Sequence, residues 1–345
     1  MSNMTRRIVA ALAILLITAA SVHAQDLDGK VLLRYKWNAG EEVTLKVANV
    51  SEGDMLTTDM TKEPPEETDM YIKTVNSMPL YQTIEAVDEE GNGTIAYQMG
   101  IMEMDITAGD KPPQHIIMDP VAKTMTVNGE PTPMPKTGLG YFGGSFRMVM
   151  TPLGEVLSFE APEAEGNPSD IMGLSPRQFA QMARASQMQF PAEPIREGYS
   201  WAQTVDLSAP QAAQEGGDAE AEAAEAAPMT MTMVYTLVGF ETVGEVECAK
   251  IEIVGAMDMT MTVSPPMENA DLTVQMGPAH FSMSGFTYFD PEAGCVVKTE
   301  LNQIMDLQQE TRGQVKAGGQ THDINMITTI EDFRQHTLVT REREE

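Results

Sequence analysis

The sequence predicts a mainly β fold with one or few helices: a long curved antiparallel sheet or half-barrel, built from two similar halves, with a helix packed on the sheet. Three observations predict it. Apolar residues alternate with period two over long stretches, Gly/Asn/Asp/Pro clusters punctuate those stretches, and short patterns of the first half recur in the second.

Before any strand comes an export signal. Arg6 and Arg7 form a basic start, Ile8 to Ala20 is an unbroken apolar and small-residue run, and Val22-His23-Ala24 is a small-x-small cleavage pattern. Cleavage after Ala24 leaves Gln25 first and places the chain in the periplasm or outside the cell. The apolar run is shorter than the roughly 20 residues a membrane span needs, and no later segment is long and apolar enough to supply one. Residues 25–345 read as a single β-rich domain, with halves at about 30–160 and 191–340.

The strand patterns follow. Val31, Leu33, Tyr35 and Trp37 alternate with Leu32, Arg34 and Lys36. Met229, Met231, Met233, Tyr235 and Leu237 alternate with threonines, and Met257, Met259, Met261 and Val263 with Asp258, Thr260 and Thr262. Thr and Val are β-branched, which suits a pleated, half-buried surface. Turn chemistry sits at 88–93, 127–129 and 290–294. The phase of apolar residues slips between Phe281/Met283 and Phe286/Tyr288, which predicts a bulge at Gly285.

A helix is expected over 175–190. Ser175 is an N-cap, Pro176 stands at N1, Gln178 completes a capping box, and Phe179 and Met182 lie on the apolar face before Pro191 ends the segment. Residues 209–228, almost all Ala, Glu, Gln, Gly and Asp, cannot bury enough apolar surface to order themselves and read as a disordered acidic loop.

The duplication is seen at three places. The entry at Gly40 resembles that at Gly198, Tyr81–Ile84 resembles Tyr235–Val238, and Phe146 to Gly154 has the same separation as Phe286 to Gly294. That topology puts Cys248 and Cys295 two strands apart, some 9–10 Å between Cα atoms, which disfavours a disulfide unless the sheet bends sharply.

Composition narrows the function. Lys and Arg number 22 against 51 Asp and Glu. Without residues 1–24, which hold two Arg and no acid, the formal charge is −31. Nucleic acid and anionic lipid surfaces are therefore disfavoured as partners. No zinc-ligand spacing, nucleophile elbow, P-loop or dinucleotide fingerprint occurs, and His115, His280, His322 and His336 fall in no ligand pattern. No catalytic residue, metal site or cofactor is assigned.

Methionine is the unusual component, at 28 residues. Three readings stand side by side: flexible thioethers filling a packed sheet face, a Met-lined surface for an apolar ligand, and clustered thioethers for a soft metal such as copper.

The Gly40-Glu41-Glu42 strand entry, the Gly198–Trp201 step and Phe289-Asp290-Pro291 with Gly294 resemble an uncharacterised family of exported bacterial proteins bearing only a domain-of-unknown-function label. More distantly, the pattern is similar to the periplasmic lipoprotein-carrier (LolA-like) fold. That resemblance implies a hydrophobic ligand held between sheet and helix, at the level of fold alone.

The expectation is an exported non-enzymatic binding protein carrying a lipid or acyl group. Its lining would be Met229, Met231, Met233, Met257, Met259, Met261, Phe281 and Met283, with Phe179 and Met182 from the helix. A structural or interaction protein of the cell envelope with a filled core, and a copper-binding protein, are the alternatives.

Overall fold

The computed structural model describes residues 29–133, 145–160, 181, 184, 187–206, 230–263, 270–317 and 320–342. The expected export signal at residues 1–24 and the acidic 209–228 segment lie outside them. Seventeen strands are present among the described residues. The first half holds β1 (Lys30–Val31), β2 (Glu42–Asp59), β3 (Glu66–Val87), β4 (Gly93–Met99), β5 (Met102–Ala108), β6 (Gln114–Asp119), β7 (Thr124–Val127), β8 (Glu130–Thr132), β9 (Ser145–Met150) and β10 (Val156–Glu160). The second holds β11 (Ile195–Arg196), β12 (Ser200–Asp206), β13 (Thr230–Val243), β14 (Val246–Val263), β15 (Ala270–Asp290), β16 (Cys295–Ala317) and β17 (Gln320–Arg341).

Fifteen strands form one open antiparallel sheet in the order β12-β13-β14-β15-β16-β17-β2-β3, after which the sheet forks. Residues 80–87 of β3 pair with β4, which leads on to β9 and β10. Residues 72–77 of β3 pair instead with β5, which leads to β6, β7 and β8. The fork gives the sheet two storeys.

In the lower storey, the β4–β9 wing and the β12–β14 wing bring their inner faces together. Ile95, Met148 and Met150 of one wing share a buried core with Tyr235, Leu237 and Ile251 of the other and with Phe289. Two connecting segments fill the space between. Val31, Leu33 and Tyr35 enter from the first, and Met188 and Phe190 from the second. Tyr35 stacks on Trp37 at 5.4 Å and meets Phe190 at 5.0 Å and Phe289 edge-on at 5.4 Å. Burial there pushes the Tyr35 phenol well above its ordinary range.

The corners that seat the first segment match one another. The Tyr35 N–H donates to Pro152 O at 2.8 Å and the Lys36 N–H to Gly294 O at 3.0 Å. Glycine is required at both corners: φ is +88° at Gly154 and +68° at Gly294, and a Cβ would lie 2.2 Å from Met188 O or 2.5 Å from Lys36 Cγ. The strand entries are alike too. Gly40 N–H donates to Ile84 O and Ile84 N–H to Glu41 O, while Gly198 N–H donates to Leu237 O and Leu237 N–H to Tyr199 O.

Two expectations need correction. The 175–190 helix falls largely outside the described residues; Gln181 and Arg184 are helical, but Gln187–Phe190 is not, and no described residue supports a helix lying on the sheet. The reason for the non-helical end is local. Pro191 disfavours helical geometry just before it, and Gln203 offers 187–190 better partners than a helix would. Its Nε2 donates to Gln187 O at 3.1 Å, its Oε1 accepts the Gln189 N–H at 3.2 Å, and Trp201 Nε1 donates to Gln189 O at 2.7 Å.

The second correction concerns Gly285, where the ladder runs unbroken between Ile253 and Leu301. A Cβ there would meet Glu300 O at 2.0 Å, so the glycine serves close strand approach rather than a bulge. The irregularity falls later, between Tyr288 and Phe289. Cys248, buried on β14, and Cys295, half-buried on β16, are thiols on strands separated by β15.

Candidate ligand-binding face

Above the core, six strands of 18 to 23 residues (β2, β3 and β14–β17) continue as a broad single layer. Following the register from strand to strand shows which positions share a face. One transverse row runs Met257, Phe281, Met305 and Phe333. Phe333 lies across Gly53, where a Cβ would come within 2.8 Å of its ring, and Gly53 pairs with Ile72. The next row outward runs through positions 259, 279, 307, 330, 55 and 70, the last four being Leu307, Ile330, Met55 and Met70.

Carried over the whole sheet, this tracing puts every methionine of a described strand at a position on the same face. It is the face that turns inward around the core below. From the row of Ile251, Thr287, Thr299, Val339, Val47 and Met78 out to the row of Gln309, Thr328, Thr57 and Thr68, it carries no charged residue on the six long strands.

The opposite face is where the charge goes. Lys73 pairs with Glu52 at 3.1 Å, Lys250 with Glu241 at 2.7 Å, and Lys298 with Glu300 at 2.6 Å. Hydrogen bonds from Lys73 and Tyr71 hold the Glu52 carboxyl below its ordinary range. Exposed apolar side chains share this face, Val234 with Val254 as a cross-strand pair and Ile304 opposite Arg334, which is ordinary for a solvated surface.

Burial follows the same division. Along β16, Leu301, Gln303, Met305, Leu307 and Gln309 are half-buried while Asn302, Ile304, Asp306 and Gln308 are exposed. On β17, Phe333, Gln335 and Thr337 are half-buried while Arg334 and His336 are exposed. The apolar face is thus partly covered but not sealed: Met55, Met70, Ile72, Met257, Phe281, Met283, Met305 and Phe333 are all half-buried.

The residues expected to line a ligand site divide accordingly. Met257, Phe281 and Met283 lie on this open face, and 259 and 261 take positions on it by register. Met233 does not belong to the open part. It is 4% exposed inside the core, where its sulfur accepts from Tyr235 Oη at 3.3 Å, and Met231 packs against that core. Met229, Phe179 and Met182 lie outside the described residues.

Sequence reasoning missed the contribution of the middle strands: Met55, Met70, Ile72, Leu307, Met305 and Phe333. They occur singly rather than in runs. The signal available was alternation, as in Leu301-x-Gln303-x-Met305-x-Leu307 against Glu300, Asn302, Asp306 and Gln308.

A broad concavity of about 990 Å³ opens elsewhere, at the base of the sheet, lined by Glu41, Glu42, Tyr81, Asp290, Arg341 and Glu342 among others. Its cation is already engaged, Arg341 with Glu41, and its remaining carboxylates, Glu42, Asp290 and Glu342, stand among only a few apolar side chains, Val43, Tyr81 and Val297. We therefore place the candidate site on the methionine face.

The histidines do not converge. His115 Nδ1 lies 2.8 Å from Asp105, His280 Nδ1 2.7 Å from Asp258 and His336 Nδ1 3.0 Å from Asn302, each with its own cross-strand neighbour on the charged face. Among the described residues no group of three His, Cys, Asp or Glu side chains could hold a metal, and no helix is long and apolar enough to cross a membrane.

No protein-family model matches the sequence, and no curated protein matches it. Among solved structures the chain is similar to lipovitellin, in a structure describing lipid–protein interactions, at 10% identity and a TM-score of 0.37; the match covers 89% of this chain and 26% of that one. It is also similar to an outer membrane channel from Pseudomonas putida F1 (8% identity, TM-score 0.21, 92% and 98% of the two chains). The translocator domain of the autotransporter NalP from Neisseria meningitidis matches at 8% identity and a TM-score of 0.16, over 98% of both chains. At these scores the likeness carries no functional argument.

Proposed function

We propose that this chain is an exported, non-enzymatic binding protein that holds a lipid or acyl group on the methionine face of its long strands. One observation carries the proposal: every strand methionine stands on a single face, and from the row of Met78 to that of Gln309 on the long strands that face is free of charge and mostly only half-buried. A face meant only for packing would be covered, as its lower part is by Tyr35, Met188 and Phe190.

The energetics favour an aliphatic occupant. Each methylene removed from water is worth about 0.8 kcal/mol when fully buried, and less on a face that covers one side. Methionine suits the task because its unbranched, polarisable thioether adapts to chains of different length and kink.

Titration of the protein with a fluorescent long-chain acyl probe tests this. Saturable uptake is expected, with competition by unlabelled lipid, and the double substitution Met257→Asp with Met305→Asp should abolish it. Uptake unchanged in that variant, or no saturable uptake by the native chain, would favour a structural or interaction protein of the cell envelope instead.

A further inference from the structure

The apolar face has a polar interruption, and its chemistry says what kind of head group the ligand carries. In two adjacent rows across β16, β17, β2 and β3 stand Thr337, Asn49 and Asn76, then Gln303, Gln335 and Ser51. All six are half-buried, and apolar rows flank them on both sides: Val339, Val47 and Met78 below, Met305, Phe333 and Ile72 above.

Sheltered polar groups on an apolar face are destabilising unless their hydrogen bonds are made. Here they are made in part. Asn49 Nδ2 donates to Asn76 Oδ1 at 3.1 Å and Gln335 Nε2 donates to Thr337 Oγ1 at 3.2 Å. Asn49 Oδ1, with almost no exposed surface, has no donor at all. Nothing in the sheet requires amides here, since the rows on either side are built with Val, Met, Phe and Ile at the equivalent positions. The band is an acceptor-and-donor patch left over after the fold is satisfied.

Its charge is equally informative. No Lys or Arg stands on this face within the rows described, and neither does Asp or Glu. A carboxylate or phosphate head group would be desolvated without a counter-charge, on a chain whose formal net charge is −29. An ammonium head group would likewise find no carboxylate.

Resting on the apolar-ligand reading above, we infer that the ligand is a neutral amphiphile. Its hydroxyl or amide head group hydrogen-bonds the Asn49–Gln335 band while its chain lies along the Met/Phe rows.

The test compares three competitors of equal chain length against the bound acyl probe at pH 8: a monoacylglycerol, the corresponding fatty acid and a lysophosphatidylglycerol. The monoacylglycerol should displace the probe at a concentration about tenfold or more below the two anions. Replacing Asn49→Leu, or separately Ser51→Ala, should weaken the monoacylglycerol about three- to tenfold, with far-UV circular dichroism showing the sheet intact in both variants.

Displacement by the anions at equal or lower concentration overturns the head-group inference and leaves the apolar-ligand reading standing. So does a full preference for the monoacylglycerol in both variants. Failure of the native chain to take up any probe sinks the underlying reading instead.

Discussion

Replacing Met305→Asp and, separately, its chain neighbour Ile304→Asp separates the two faces of the sheet at a single point. Met305 lies half-buried between Phe281 and Phe333 on the uncharged face. Ile304, 38% exposed, lies on the charged face directly opposite Arg334. Both substitutions lose partial apolar burial worth about 1 kcal/mol, and both place a poor strand former in β16. Those costs cancel in the comparison. At 305 the new carboxylate has no partner, which adds about 1–3 kcal/mol. At 304 it meets the Arg334 guanidinium across the strand, which returns about 0.2–1 kcal/mol. Met305→Asp should therefore be the less stable by about 2 kcal/mol. Urea unfolding reads this as a lower midpoint for Met305→Asp with an unchanged slope, and only Met305→Asp should lose acyl-probe uptake. Equal midpoints for the two variants would refute the assignment of faces.

Three further expectations come from the lower storey. Phe289→Ala removes a fully buried ring that meets Tyr35 and Phe190, and calorimetry should show a loss of about 3–5 kcal/mol. Gln203→Ala strips Gln187 O and the Gln189 N–H of their partners; about 1–3 kcal/mol should be lost, with faster amide exchange at Gln189. The Asp88 carboxyl caps the β3–β4 turn, and hydrogen bonds from the Asn92 side chain and then its backbone hold it below the ordinary range. A depressed carboxyl stabilises the fold above its unfolded pKa and ceases to do so as pH falls through the folded value. The protection factor of the Asn92 amide should therefore hold from neutral pH down through the ordinary Asp range and fall below it. Asp88→Asn should abolish that acid step.

What could be read from the sequence follows from where the physics is local. Alternation in Met257–Val263 and in Met231–Leu237 identifies strands and their apolar face, because the two-residue period belongs to the strand itself. The turns at 88–93 and 290–294 were legible for the same reason. Register is not local. That Met55, Met305 and Met70 belong to the same surface as Met257 emerges only when six strands are laid side by side. Until then Met233, buried, and Met257, half-buried, look alike. The apparent bulge at Gly285 had a true cause misread. The phase does change, because Phe286 and Tyr288 face the charged side, where Lys250 lies 4.6 Å from the Phe286 ring centre and Lys250 and Lys298 each lie 5.5 Å from that of Tyr288. Cations over those rings make an outward-facing position as dry as an inward one. The end of the expected helix failed through a tertiary competitor, Gln203, sixteen residues downstream of Gln187. The repeat read from Gly40 and Gly198 stands as a proposal that the matched hydrogen bonds of Ile84 and Leu237 support.

Native mass spectrometry of the chain, purified gently from a bacterial periplasm and compared with its denatured mass, tests the central claim most directly. An excess of lipid-sized mass is expected, removed by organic extraction and restored when the extracted protein is incubated with a monoacylglycerol. A native mass equal to the bare chain after that incubation, or an excess the size of copper that a soft chelator removes, would contradict it.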